Sequence, residues 1–140
     1  MQKVLLIGAL ASGKEELINA LTGKSITHAC AMSIEAHGHF INTPGEFLEN
    51  RRFYRALITA AANCEAIWFI QSALATSCLF PPQFSGAFNR PVKGIVTRAT
   101  APGANPKQAV HFLQLAGAGN ITLTNAATML GINELTSCKS

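Results

Sequence analysis

The stretch V-L-L-I-G-A-L-A-S-G-K-E-E-L-I-N-A-L-T-G, residues 4–23, constrains this chain more than any other. Residues 4–7 are apolar without a break and read as a buried strand that Gly8 ends. A loop of small residues follows, then an amphipathic helix with Leu17, Ile18 and Leu21 on one face. Gly8, Gly13 and Lys14 have the spacing G-x-x-x-x-G-K of a phosphate-binding loop, with Ala11 and Ser12 inside it. In such a loop the backbone N–H groups curl round an anion, and the helix N-terminus adds its dipole. The next position ordinarily holds Ser or Thr, whose hydroxyl binds magnesium. Here it is Glu15.

Two readings of Glu15 stand side by side. Ser12-Gly13-Lys14-Glu15 has the S-x-x-E form of a capping box, in which Ser12 accepts from the Glu15 N–H and the Glu15 carboxylate reaches back to the Ser12 N–H. Glu15 then fills the ring of donors meant for a phosphate, and Lys14 pairs with Glu15, Glu46 or a bound phosphate or sulfate. In the other reading Glu15 itself takes magnesium, since carboxylates suit that ion, and the loop holds ATP or GTP. Glu46 is then a candidate base beside the phosphates, against the plainer role of an exposed turn glutamate.

A chain of 140 residues is most simply one domain, residues 1–140. Its hydrophobic share is 49%, yet no apolar run reaches the length that spans a bilayer, and residues 4–7 are too short for a secretory signal. A cytoplasmic protein with no membrane partner is expected. Cys30, Cys64, Cys78 and Cys138 are far apart with no C-x-x-C pair, which implies free thiols and no zinc site. All seven acids are Glu, and six of them lie between Glu15 and Glu65. The basic residues of the later half are dispersed without interleaved aromatics, which argues against nucleic acid.

Along the chain, residues 34–41 read as one strand with His37 and His39 on the same side. That H-x-H pair lacks a nearby third ligand, so no metal site is expected. Asn42-Thr43-Pro44-Gly45 forces a turn, and residues 52–63 read as an Ala-rich helix. Arg51, Arg52 and Arg55 beside Phe53 and Tyr54 suit either a protein contact or a solvated helix start. Residues 66–71, 92–97 and 121–124 read as strands, and residues 105–116 and 131–137 as helices. Residues 73–91, broken by Pro81, Pro82, Gly86 and Pro91, leave room only for a short helix. The apolar run 79–88 is expected to offer a surface to a copy of the chain or another protein. Strands alternating with helices give an α/β fold, a mainly parallel sheet covered on both faces.

Three segments resemble one family: T-P-G-E-F-L-E-N-R from Thr43, F-S-G-A-F-N-R-P-V-K-G-I-V-T from Phe84, and L-A-G-A-G-N-I-T-L-T-N-A from Leu115. They are similar to the EutP/PduV proteins that accompany bacterial ethanolamine and propanediol utilisation, and the resemblance runs from residue 3 to about residue 135. It implies a doubly wound, Ras-like P-loop NTPase fold and association with bacterial microcompartments. The site is carried over residue by residue. Gly8, Gly13 and Lys14 match the phosphate loop, and Glu15 replaces its Ser or Thr. Ala31 stands where a switch Thr is usual, and D-T-P-G becomes Asn42-Thr43-Pro44-Gly45. The base-reading T-K-x-D becomes Thr97-Arg98-Ala99-Thr100, with Thr100 in place of the Asp, and the late S-A signal keeps only Ala126. The resemblance therefore implies a degenerate GTPase-like interaction module that has lost GTP hydrolysis and binds itself or other microcompartment proteins. The alternative is a weak ATP- or GTP-binding protein or phosphotransferase that uses Lys14.

Overall fold

The structure, a computed structural model, describes residues 3–9, 12–22, 35–37, 40–43, 45–75, 77, 80–88 and 90–125. Within these, the side chains of Glu15, Thr22, Glu35, Ala36, His37 and Glu46 are outside the description. Strand β1 (Val4–Gly8) lies inside the sheet because both its faces are apolar: Leu5 and Ile7 point one way, Val4 and Leu6 the other. Helix α1 (Lys14–Thr22) follows, then the short strands β2 (Glu35–His37) and β3 (Phe40–Asn42), helix α2 (Gly45–Glu49) and α3 (Tyr54–Ala61). Strand β4 (Ala66–Ser72) is buried along its whole length. β5 (Val92–Thr97), α4 (Pro106–Leu115) and β6 (Ile121–Leu123) complete the described elements.

The strand order is β2-β3-β1-β4-β5-β6. All neighbours run parallel except β2 and β3, which pair antiparallel with His37 opposite Phe40. The expected doubly wound, mainly parallel α/β sheet is therefore present, and one expectation within it changes. Residues 34–41 do not form a single strand: β2 and β3 pair antiparallel with each other. His39 lies outside the described residues, as does the helix expected at 131–137.

Helices flank the sheet on both faces. Leu17 and Ile18 of α1 pack with Val4, Leu6, Phe40, Trp68, Ile70 and Ile95. On the other face Leu57 of α3 and Leu113 of α4 meet Leu5, Ile7, Phe69 and Val96. The helix expected at 52–63 is split into a 3-10 turn (Arg51–Phe53) capped by Asn50 Oδ1 and then α3, and α2 begins at Gly45, the last residue of the expected turn. Asn105 caps α4 by accepting from the Gln108 N–H at 3.2 Å, with Pro106 in the first turn.

The run 79–88 is also corrected. Phe80, Phe84 and Phe88 are each only 6% exposed and surround Phe69 of β4, with ring centroids 4.7 to 6.1 Å away. A short 3-10 turn (Phe84–Ala87) carries two of them inward. Backbone N–H groups of Gln83 and Ser85 donate to the Leu115 and Ala116 carbonyls, which answers the open C-terminus of α4. These aromatics stabilise the interior and present no apolar face to a partner.

Candidate functional site

The site forms where β1, β3 and β5 end beside the start of α1. Gly8 closes β1 against β4 so tightly that a Cβ there would lie 2.9 Å from the Ile70 carbonyl oxygen. Gly13 holds φ at +88°, a left-handed conformation that side chains resist, and a Cβ would lie 3.1 Å from Thr97 Oγ1. Thr97, at the end of β5, supports the loop from beneath by donating to the Ser12 carbonyl at 2.5 Å. Lys14 is 2% exposed, and its Nζ donates to the carbonyls of Gly8 (2.7 Å) and Ala9 (3.2 Å). A buried ammonium on the loop's own carbonyls, beside a helix N-terminus, is a fixed positive point for an anion.

The capping box does not form as expected. Ser12 Oγ is buried and makes no hydrogen bond, so it does not accept from the Glu15 N–H. The reason is the turn at Gly13: it leaves Ser12 facing β1, with Oγ 2.7 Å from where a Gly8 Cβ would sit. The reciprocal half of the box rests on the Glu15 side chain, outside the described set, as is that of Glu46. Ala11, Ala31 and Ala126 are outside the described residues too.

Asn42, the last residue of β3, is buried in register with Leu6 of β1, which brings its amide to the edge of the loop. Thr43 Oγ1 donates to the Leu6 carbonyl at 2.8 Å and fixes that junction, and Gly45 opens α2. Arg98, with φ at +56°, reaches across to α1 and pairs with Glu16 at 2.5 Å. Thr100 accepts from Asn125 Nδ2 at 2.6 Å. Glu16 and Asn125 are the site residues that sequence reasoning passes over. The only hint of Asn125 is its place within Thr124-Asn125-Ala126.

The residue types at this site differ from those of a magnesium–guanine site at Glu15, Asn42 and Thr100. The loop supplies the Lys14 ammonium, while its Ser12 N–H donates to the Ala9 carbonyl at 3.2 Å; Glu15 lacks the usual hydroxyl and the neutral Asn42 the usual carboxylate. Thr100 has no carboxylate to accept two donors from guanine. A small recess of about 10 Å³ between α1 and the end of β5 is lined by Gly13, Glu16, Leu17, Thr97, Arg98 and Thr124. A cleft of about 420 Å³ lies at the other end of β5, around Arg90 and Asn120. Arg90 there donates to the carbonyls of Cys64 and Ala62, at the end of α3, so it serves the fold. Cys64 is a free, buried thiol whose pKa is pushed up by burial and by neighbouring Glu65, which keeps it protonated and unreactive at neutral pH.

A model of the PduV-EutP family, described as "Ethanolamine utilisation - propanediol utilisation", matches residues 1–139. The chain belongs to this family. It is 34% identical over 136 residues to the propanediol utilization protein PduV of Citrobacter freundii, covering 96% of this chain and 91% of that one. Over 74 residues it is 32% identical to the probable acetate kinase EutP of Salmonella typhimurium, covering 52% of this chain and 46% of the relative. Over 71 residues it is 38% identical to the GTPase Era of Rhizobium meliloti, covering 41% of this chain and 23% of that protein. The PduV-EutP family is thus linked by name to ethanolamine and propanediol utilisation, and the GTPase relative agrees with a Ras-like P-loop fold. Among the described residues no helix is long and apolar enough to cross a membrane.

Proposed function

We propose that this PduV-EutP protein is a degenerate, GTPase-like interaction module of a propanediol- or ethanolamine-type utilisation system, with GTP hydrolysis lost. It acts in the cytoplasm as one domain, in association with a microcompartment, and binds a copy of itself or another microcompartment protein. One observation carries the reading. Gly8, Gly13 and buried Lys14 keep an anion cradle, while Glu15, Asn42 and Thr100 stand where metal and guanine ligands belong.

A second reading, a weak ATP- or GTP-dependent phosphotransferase, is favoured by Lys14, which keeps its place in the G-x-x-x-x-G-K loop, and by the relative named a probable acetate kinase. Steady-state turnover of magnesium GTP and magnesium ATP, with and without acetate, separates the two. The interaction module shows no release or transfer of phosphate above buffer. Turnover that disappears in Lys14→Ala establishes the phosphotransferase instead.

A further inference from the structure

The arginines that follow α2 gather like charge on an exposed surface. Arg51 and Arg52 lie in the 3-10 turn and Arg55 in the first turn of α3, and all three are exposed. Arg55 follows Arg52 by three residues and Arg51 by four, which brings it beside both, and Ile58, 41% exposed, follows Arg55 by three. Arg55 stands at the positive start of α3, whereas Arg51 and Arg52 follow the negative end of α2, and like charges this close repel one another. Neither the 3-10 turn nor α3 has an acid in its first turn. Among the described residues no carboxylate meets any of the three guanidinium groups; Arg52 lies over the Phe53 ring, 4.9 Å from its centroid. Elsewhere the chain engages its arginines, Arg98 with Glu16 and Arg90 with two carbonyls. Like charges gathered on one exposed surface, with no carboxylate against them among the described residues, point to a contact made outside the chain.

We infer that the face formed by Arg51, Arg52, Arg55 and Ile58 docks an acidic segment of a different protein, with carboxylates three or four residues apart beside an apolar side chain. Planar guanidinium groups match carboxylates in bidentate geometry, and Ile58 supplies an apolar contact next to them. Arginine without lysine, joined to an aliphatic residue, is the composition of a protein contact, whereas a phosphate backbone has no use for Ile58. A second copy of this chain is a poor occupant, since its formal charge is +4. The inference deepens the interaction-module reading, from which it takes the idea of a partner, but it stands on residues remote from the phosphate loop.

Short random peptides displayed against the intact chain test it, with Arg51→Gln/Arg52→Gln/Arg55→Gln as the comparison. The expected result is enrichment of Glu- and Asp-rich peptides with an apolar residue, bound roughly tenfold to a hundredfold more weakly by the triple variant. The variant is expected to melt no lower than the parent. The inference is overturned by selected peptides without acidic enrichment, by acidic peptides that bind both proteins alike, or by duplex DNA bound more tightly at this face. A variant that melts well below its parent also overturns it, because the arginines then serve the fold. Magnesium GTP turnover sinks the proposed function without touching this result, so the two failures are distinguishable.

Discussion

Truncating Phe69 to alanine is expected to remove about 3–5 kcal/mol of stability, the range for deleting a fully buried aromatic. Phe69 is 0% exposed at the middle of β4, and the rings of Phe80, Phe84 and Phe88 all pack against it. Those three residues approach from a segment with little regular structure of its own, so they cannot follow a shrinking core without breaking the Gln83 and Ser85 contacts to the end of α4. Part of the loss is therefore an unfilled cavity. Against a total stability on the order of 5–15 kcal/mol, the melting temperature should fall by roughly ten to twenty degrees. Ile58→Ala, on the exposed side of α3, should change stability by no more than about 0.5 kcal/mol. Equal melting of Phe69→Ala and its parent would mean that the 80–88 segment does not pack as described.

Replacing Glu15 by threonine is expected to raise affinity for triphosphates by roughly a thousandfold. A carboxylate about 4 Å from a phosphate oxygen repels it by on the order of 4 kcal/mol at an effective dielectric of about 20, and that energy is about three decades of binding. Glu15 follows Lys14 in the first turn of α1, where the phosphate loop delivers its anion. The gain should be the same for ATP and GTP, because Thr100, engaged with Asn125, offers guanine no carboxylate. Titration of both nucleotides into Glu15→Thr reads the effect. Unchanged affinity would remove the block from Glu15, and a strong preference for GTP would mean that base recognition survives without the aspartate.

Much of this molecule is written locally in its sequence. β1, β4 and β5 are legible because strands buried on both faces need unbroken apolar runs, and α4 is legible from Asn105 and Pro106 at its start. The β2–β3 reversal is not, since β2 (Glu35-Ala36-His37) and β3 (Phe40-Ile41-Asn42) are each three residues, too short for periodicity to set apart. The inward turn of Phe80, Phe84 and Phe88 depends on β4, which hydrophobicity alone does not reveal. At the site, Gly8, Gly13 and Lys14 follow from spacing. The capping box fails because S-x-x-E says nothing of the +88° φ at Gly13 that turns Ser12 away. The Arg98–Glu16 and Thr100–Asn125 pairs join residues 82 and 25 positions apart, so only the folded sheet brings them together.

The central claim is that an anion cradle persists where the means of holding magnesium and guanine are gone. Calorimetric titration of the unmodified protein with magnesium GTP and with magnesium ATP tests it most directly. The account predicts no binding of either nucleotide at micromolar concentrations; stoichiometric micromolar binding of magnesium GTP, lost when magnesium is withheld, would contradict it.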